Sequence, residues 1–343
     1  MTLGEESKEQ SMISTRKLIL FVIFSVIVFA AVGLYGQLDD VISALSLIDW
    51  WIVIPTMMAL SFLNYIIRYV KWQYFLRRID VNLSHIDSFS IFLAGFTLTT
   101  TPGKIGEAVK GFFIRDIDRT PIAKTVPVVV SERVTDLLAL VLLAMIGFSI
   151  GINTGDQLLT VALLGGVVFV GALILSQKTF YQKILKRFTS FGPLKRFQDS
   201  VDDIENTMTQ TLSPTPLVVS TTISIPGWFM ECLELWLLLS LLSGAGLPTL
   251  DPASLVLLLQ ATFVHATASI IGAISFLPGG VGTYEITSVA LIQFLLGMAQ
   301  AQASVATIII RVVTLWFSVI VGFIALGFVT RRTRKIIELS DNS

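Results

Sequence analysis

The sequence predicts an all-α polytopic membrane protein of about six transmembrane helices plus two re-entrant helical hairpins, arranged as inverted-topology repeats. Three observations predict it. The chain of 343 residues is 54% hydrophobic and only 14% charged, with a mean hydropathy of +0.79, which is too apolar for a soluble globule of this size. Two apolar stretches are interrupted by P-G-x-[I/V]-G breaks, Pro102-Gly103-Lys104-Ile105-Gly106 and Pro278-Gly279-Gly280-Val281-Gly282, followed by Glu107 and Glu285 respectively. Lysine and arginine are confined to alternate links between the apolar segments.

Taken in order, residues 18–36 form a first apolar segment long enough to cross a hydrocarbon core of roughly 30 Å. The N-terminal tail is too acidic and polar for a signal-peptide leader, so this segment is expected to be retained. The second span covers 50–70, opened by Trp50 and Trp51 and closed by Tyr69, Trp72 and Tyr74 as an interfacial aromatic belt, with Arg68, Lys71, Arg77 and Arg78 as its flanking bases. Residues 88–98 are apolar but short and run into the first break, which fits a hairpin entering and leaving on one side.

The third span, 126–150, carries Glu132, Arg133 and Asp136. Glu132 and Asp136 are four apart and share a helix face. Span four is 158–176. Residues 178–212 alternate aromatic and basic side chains and read as an amphipathic connector in the headgroup region. Span five, 217–243, contains Pro226-Gly227 and then Glu231 and Glu234. Residues 253–277, with His265, lead into the second break and resume at 283–296. Span six, 303–329, holds Arg311 one-third of the way along. Each break precedes an intramembrane arginine by a similar distance, from Gly106 to Arg133 and from Gly282 to Arg311. The whole chain, 1–343, therefore reads as one membrane domain, with 1–152 the first repeat and 153–343 the second.

The 24 lysines and arginines fall in the N-terminal tail, after span two, in 104–124, in 178–196 and in the C-terminal tail, apart from Arg133 and Arg311. The remaining links contain Asp39, Asp40, Asp49, Asp156 and Asp251 and no base. The positive-inside rule then places both termini in the cytoplasm of a cell-membrane protein, and brings the two hairpins in from opposite sides. One cysteine, Cys232, and two distant histidines, His85 and His265, give no disulfide or metal signature, so no cofactor or metal is expected. Zero formal net charge gives no sign of a nucleic-acid partner.

Broken backbone at membrane depth is tolerated only where protein or water covers it, so the two tips are expected to meet near the midplane. Glycine-rich amides beside a helix N-terminus suit an anion such as phosphate, and Lys104 would add a cation. The bland reading of the glycines is tight turning alone. That of the intramembrane charges is mutual ion pairing, since each charge in a span costs at least about 2.5 kcal/mol on insertion scales. His265 reads either as a satisfied core histidine or as part of a proton or charge relay with Glu231 and Glu234.

The run P-G-x-x-G-E, then E-R-x-x-D in the next span, then P-G-G-x-G-x-x-E and a final arginine-bearing span resembles the lysylphosphatidylglycerol synthase transmembrane region, or flippase-like domain, over essentially the whole chain. The resemblance implies that Pro102, Gly103, Gly106, Glu107, Glu132, Arg133, Asp136, Pro278, Gly279, Gly280, Gly282, Glu285 and Arg311 are the family-type positions. It also implies a role in translocating an aminoacylated phospholipid, or in lipid-linked sugar assembly beside a glycosyltransferase. The sequence shows neither a synthase nor a glycosyltransferase domain, ending fourteen residues after Val329, so a stand-alone membrane unit is expected.

The function expected is thus a non-enzymatic lipid translocator, its substrate a phospholipid, polyprenyl phosphate or lipid-linked sugar. Two other readings stand beside it: a membrane-embedded transferase using Glu132 with Asp136 or Glu231 with Glu234 as an acid/base pair, and a non-transporting partner of a separate synthase or glycosyltransferase. A homo-oligomer is compatible with all three.

Overall fold

The computed structural model describes residues 15–101, 106–151 and 201–341, which form helices joined by turns and short irregular links, with no strand among them. Span four and the 178–200 part of the connector lie outside the described residues, as do Pro102, Gly103 and Lys104. The elements are α1 (Thr15–Tyr35), α2 (Leu38–Leu45), α3 (Trp50–Arg78), α4 (His85–Ala94) with a 3-10 turn Gly95–Leu98, α5 (Val109–Asp118) and α6 (Ile122–Gly151). They continue with α7 (Val201–Leu212), α8 (Pro214–Leu242), α9 (Pro252–Ile274), a 3-10 turn Pro278–Gly280, α10 (Thr283–Leu296), α11 (Gln300–Arg311), a π turn Val312–Trp316 and α12 (Phe317–Asp341).

Six described stretches are long and apolar enough to cross a membrane, including both arms of the second hairpin. Helix α6, 30 residues long, adds its own length, with Glu132 and Asp136 turned into the bundle. Caps follow local chemistry. Asp49 accepts from the Trp51 amide at 3.2 Å, Ser84 from that of Asp87 at 3.1 Å, and Asp251, ahead of Pro252, from those of Ala253 and Ser254. The hydroxyl of Thr249 donates to the same Asp251 carboxylate, and these bonds hold its pKa below the usual carboxylate value.

The bundle has two distinguishable ends. At one, Gln302 Nε2 donates to Leu242 O at 2.6 Å and Trp236 Nε1 to Ser254 O at 2.9 Å, which gathers the end of α8, the start of α9 and the start of α11. Since α10 ends at Leu296, both ends of the α9–α10 hairpin lie there. At the other end Arg332 meets Asp87 at 3.3 Å and Arg78 Nε donates to Gln210 O at 3.3 Å. The α4–α5 hairpin begins and ends there. The hairpins thus point at each other from opposite ends.

Each tip is held by close approach at a glycine. Gly280 has φ +67°, and a Cβ there would lie 3.0 Å from Gly272 Cα, so the turn is pressed against its own incoming arm. On the other side, a Cβ on Gly322 of α12 would lie 2.5 Å from the Thr97 amide nitrogen, so the first tip rests directly on that helix.

The structure corrects two sequence expectations. Helix α3 does not close at residue 70 behind an aromatic belt; it runs to Arg78, with Arg68, Lys71 and Trp72 buried. Lys110, counted with the surface bases of 104–124, is likewise fully buried. The 201–212 part of the connector lays one face on α6, where Thr211 hydrogen-bonds Ser131 at 2.7 Å and Thr207 donates to Lys124 O at 3.1 Å. The physical reason is common to both corrections. Each segment carries a face whose polar groups find interior partners, which offsets the cost of burying them.

Candidate functional site

Helices α3 and α8 run antiparallel and meet along a polar seam. On α3, Ser61, Asn64, Arg68 and Lys71 recur at three- and four-residue steps, and on α8 so do Ser220, Ser224, Gly227, Glu231 and Glu234, so each set occupies one helix face. The faces pair in order. Lys71 Nζ donates to Ser224 Oγ at 2.8 Å, Asn64 Nδ2 to Gly227 O at 2.7 Å and Glu231 Oε1 at 3.2 Å, and Ser61 Oγ to Glu234 Oε1 at 2.8 Å.

At the Lys71 end the seam joins a buried ion network carried by α5 and α6. Lys71 Nζ lies 2.5 Å from Asp136, Arg133 lies 3.1 Å from Asp136 and 3.4 Å from Glu107, and Arg68 is 3.7 Å from Asp136. Lys110 pairs with Glu132 at 2.5 Å and with Glu107 at 3.6 Å, and its ammonium sits 4.5 Å from the Trp72 ring centroid. Among the described residues, four bases, Arg68, Lys71, Lys110 and Arg133, here face three carboxylates, Glu107, Glu132 and Asp136. Arg133 keeps 21% of its side chain exposed, against 5% or less for those carboxylates.

Around the second tip, Glu285 Oε2 accepts from the Gly282 amide at 2.6 Å, while its Oε1 accepts from Arg311 Nε at 2.7 Å. Arg311 Nη2 donates to Gly279 O at 2.6 Å, and its guanidinium lies 4.6 Å from the Tyr284 ring centroid. His265 bridges Tyr284, at 3.0 Å through Nδ1, and Glu231, at 3.2 Å through Nε2.

Between the tips lies a cavity of about 340 Å³. Its walls bring together Glu107, Arg133 and Asp136 with Gly279, Gly280 and Arg311, and also Glu231 and His265. Glu132, Glu234 and Glu285 stand behind that wall, fully buried. Pro278, Gly282 and Gly106 shape the turns without lining the cavity. Sequence reasoning missed Arg68, Tyr65, Trp228 and Tyr284 on the wall and Lys71 and Lys110 behind it. The three- and four-residue polar stripe on α3 was the available signal for Arg68 and Lys71. The remaining wall mixes hydroxyls, Thr99, Ser269, Thr314 and Ser318, with aliphatic side chains including Leu137, Leu140 and Leu315, and the aliphatic part reaches Ile274 and Phe276 at the second tip, which are 60% and 66% exposed.

Long apolar helices around a charged interior cavity, with two helical hairpins facing each other across it, define a polytopic helical membrane protein with a built interior site. The chain belongs to the lysylphosphatidylglycerol synthase TM region family, which matches residues 19–322. It is 23% identical over 302 residues to a UPF0104 membrane protein of Pyrococcus horikoshii, covering 79% of this chain and 84% of the relative. A UPF0104 membrane protein of Methanocaldococcus jannaschii is 21% identical over 342 residues, covering 94% of this chain and 98% of the relative.

Proposed function

We propose that this protein is a lipid translocator that moves a phosphate-bearing lipid across the cell membrane without altering it covalently, and that both termini face the cytoplasm. One observation carries the reading: among the described residues, four bases face three carboxylates in the ion network beside the cavity, and Arg133, the member left most exposed, opens onto the cavity. Such a network gains from an anionic ligand, and arginine can engage phosphate oxygens bidentately. Arg311 stands on the same wall, so the two hairpins offer one anion site rather than two.

The aliphatic side of the wall, Leu137, Leu140 and Leu315 leading to Ile274 and Phe276, favours an amphiphile over a free phosphate. A headgroup would sit between the tips while its chains leave past Ile274 and Phe276, whose exposed side chains match hydrocarbon. Hairpins that come in from opposite ends of the bundle toward a central site fit the alternating-access logic of inverted-repeat transporters.

Lipids retained by the purified protein and identified by mass spectrometry test this reading. A phosphate-bearing lipid enriched over the bulk membrane and lost from Arg133→Gln is the expected outcome. Retention of lipid in bulk proportions by both proteins would contradict it.

A further inference from the structure

The other end of the α3–α8 seam has a chemistry that an anion site does not use. Ser61, Asn64 and Glu234 are buried to within 1% of full occlusion, and Glu231 beside them reaches the cavity wall. The Asn64 amide nitrogen donates to two groups that can only accept when ionised or carbonyl, Glu231 Oε1 and Gly227 O. That fixes which end of the amide donates to them and leaves the oxygen to accept from something else.

Asn64 Oδ1 and Glu234 Oε2 are then left with no hydrogen-bond partner. A buried acceptor without a donor is costly, and two of them beside a second carboxylate are a specific deficit of positive charge. The neighbouring cations are engaged elsewhere: Arg68 faces Asp136, Arg311 faces Glu285, and Lys71 is bound to Asp136. Among the described residues neither Glu231 nor Glu234 is ion-paired to a lysine or arginine, and of the two glutamates His265 is paired with Glu231. Tyr65 on α3, Cys232 on α8 and Tyr284 on α10 complete the titratable groups around the pair.

The backbone opposite is irregular at this level. The π turn Val312–Trp316 brings the Val313 carbonyl to 3.5 Å from Ser61 Oγ. Such turns within long helices recur at functional sites, and irregular carbonyls beside buried carboxylates are how membrane transporters hold coupling ions.

We propose that Ser61, Asn64, Glu231 and Glu234 form a binding site for one monovalent cation, a sodium ion or a proton. Hydroxyl, amide and carboxylate oxygens are the donors a hard cation prefers. Among the described residues, no three Asp, Glu, His or Cys side chains group as ligands for a metal ion, so a single charge suits the two carboxylates better than a divalent one. The site stands on its own, independent of which ligand fills the cavity. Its position, sharing Glu231 with the cavity wall, makes it the point where an ion gradient would act on translocation.

The experiment is thermal unfolding of the purified full chain in detergent, with NaCl replaced by choline chloride at constant ionic strength and repeated across pH. It is paired with infrared difference spectra of wild type against Glu234→Gln. If sodium is the ion, the midpoint rises saturably with Na⁺ and not with choline, and Glu234→Gln and Ser61→Ala abolish or weaken the rise. If the proton is the ion, sodium has no effect, Glu234→Gln flattens the pH profile, and wild type shows a carboxylic-acid carbonyl band missing from the variant. Should Glu234→Gln fail to fold, calorimetric titration of wild type with NaCl, together with the wild-type infrared spectrum, decides the matter. No sodium heat and no protonated-carboxyl band, or pH profiles identical in wild type and variant without a sodium response, overturn the proposal and leave a water-filled polar knot. None of these readouts requires lipid transport, so failure of the translocator reading leaves them interpretable.

Discussion

Arg311 donates through Nε to Glu285 at 2.7 Å, a carboxylate 26 residues upstream. Arg133 meets Glu107, also 26 residues upstream, at 3.4 Å. In each half the glutamate follows the tip of a hairpin and the arginine lies in the next helix. The pair therefore ties each broken hairpin to the helix that succeeds it, and places a guanidinium at the tip.

That relationship predicts a separation of folding from function at Arg311. Arg311→Ala leaves Glu285 buried and uncompensated, which costs about 3–5 kcal/mol. Arg311→Met combined with Glu285→Gln is expected to recover most of that stability, while lipid transport stays lost because the phosphate contact is gone. Thermal unfolding and transport measured on the same preparations check this. Restored transport in the double variant would assign Arg311 to the scaffold.

The Lys110–Glu132 pair gives the opposite expectation, because it stands behind the cavity wall. Lys110→Met alone is expected to destabilise by about 3–5 kcal/mol. Lys110→Met with Glu132→Gln is expected to fold and to transport at a rate within a few-fold of wild type. Loss of transport by a well-folded double variant would bring Glu132 into the binding site.

Close approach at the tips predicts intolerance of side chains. Gly322→Val drives a side chain into the Thr97 backbone, and Gly280→Val adds an unfavourable positive φ to a clash with Gly272. Each is expected to cost at least about 1–3 kcal/mol. Gly327→Val, on the same helix as Gly322 but with nothing within 4 Å of its Cβ position, is the control and is expected to fold normally. Wild-type unfolding midpoints for Gly322→Val and Gly280→Val would show that the tips are not held as described.

Topology is tested with membrane-impermeant thiol labelling, since the native Cys232 is buried. Ala299→Cys, exposed at the start of α11, is expected to label in intact cells. Arg119→Cys, exposed at the opposite end, is expected to label only after permeabilisation. The reverse pattern would invert the assignment of inside and outside while leaving the cavity intact.

Much of the architecture was legible because its signals are strong and local. Proline and glycine at 278–282 interrupt an apolar stretch, and Arg133 and Arg311 stand out within apolar helices. Arg68 and Lys71 were not legible as interior groups because they lie near the end of a hydrophobic run, where a base ordinarily marks the interface. What buries them is Asp136, 65 residues from Lys71, and Ser224, 153 residues from it, partners that no local pattern announces. Lys110 was misplaced for the same reason: its partner Glu132 lies on the following helix. The sequence allowed mutual ion pairing of the intramembrane charges without singling out Glu285 as the partner of Arg311, because which helix faces turn toward each other is a property of the packed bundle.

The central claim is that arginine on the cavity wall binds a lipid phosphate during translocation. Its most direct test is the rate at which a fluorescently labelled phospholipid in the inner leaflet of proteoliposomes becomes accessible to an external quencher, for wild type and Arg133→Lys at matched reconstitution. The account predicts protein-dependent translocation by wild type, reduced at least about tenfold in Arg133→Lys because the charge remains but the bidentate contact does not. Equal rates for wild type and Arg133→Lys, or a wild-type rate no faster than protein-free liposomes, would contradict it.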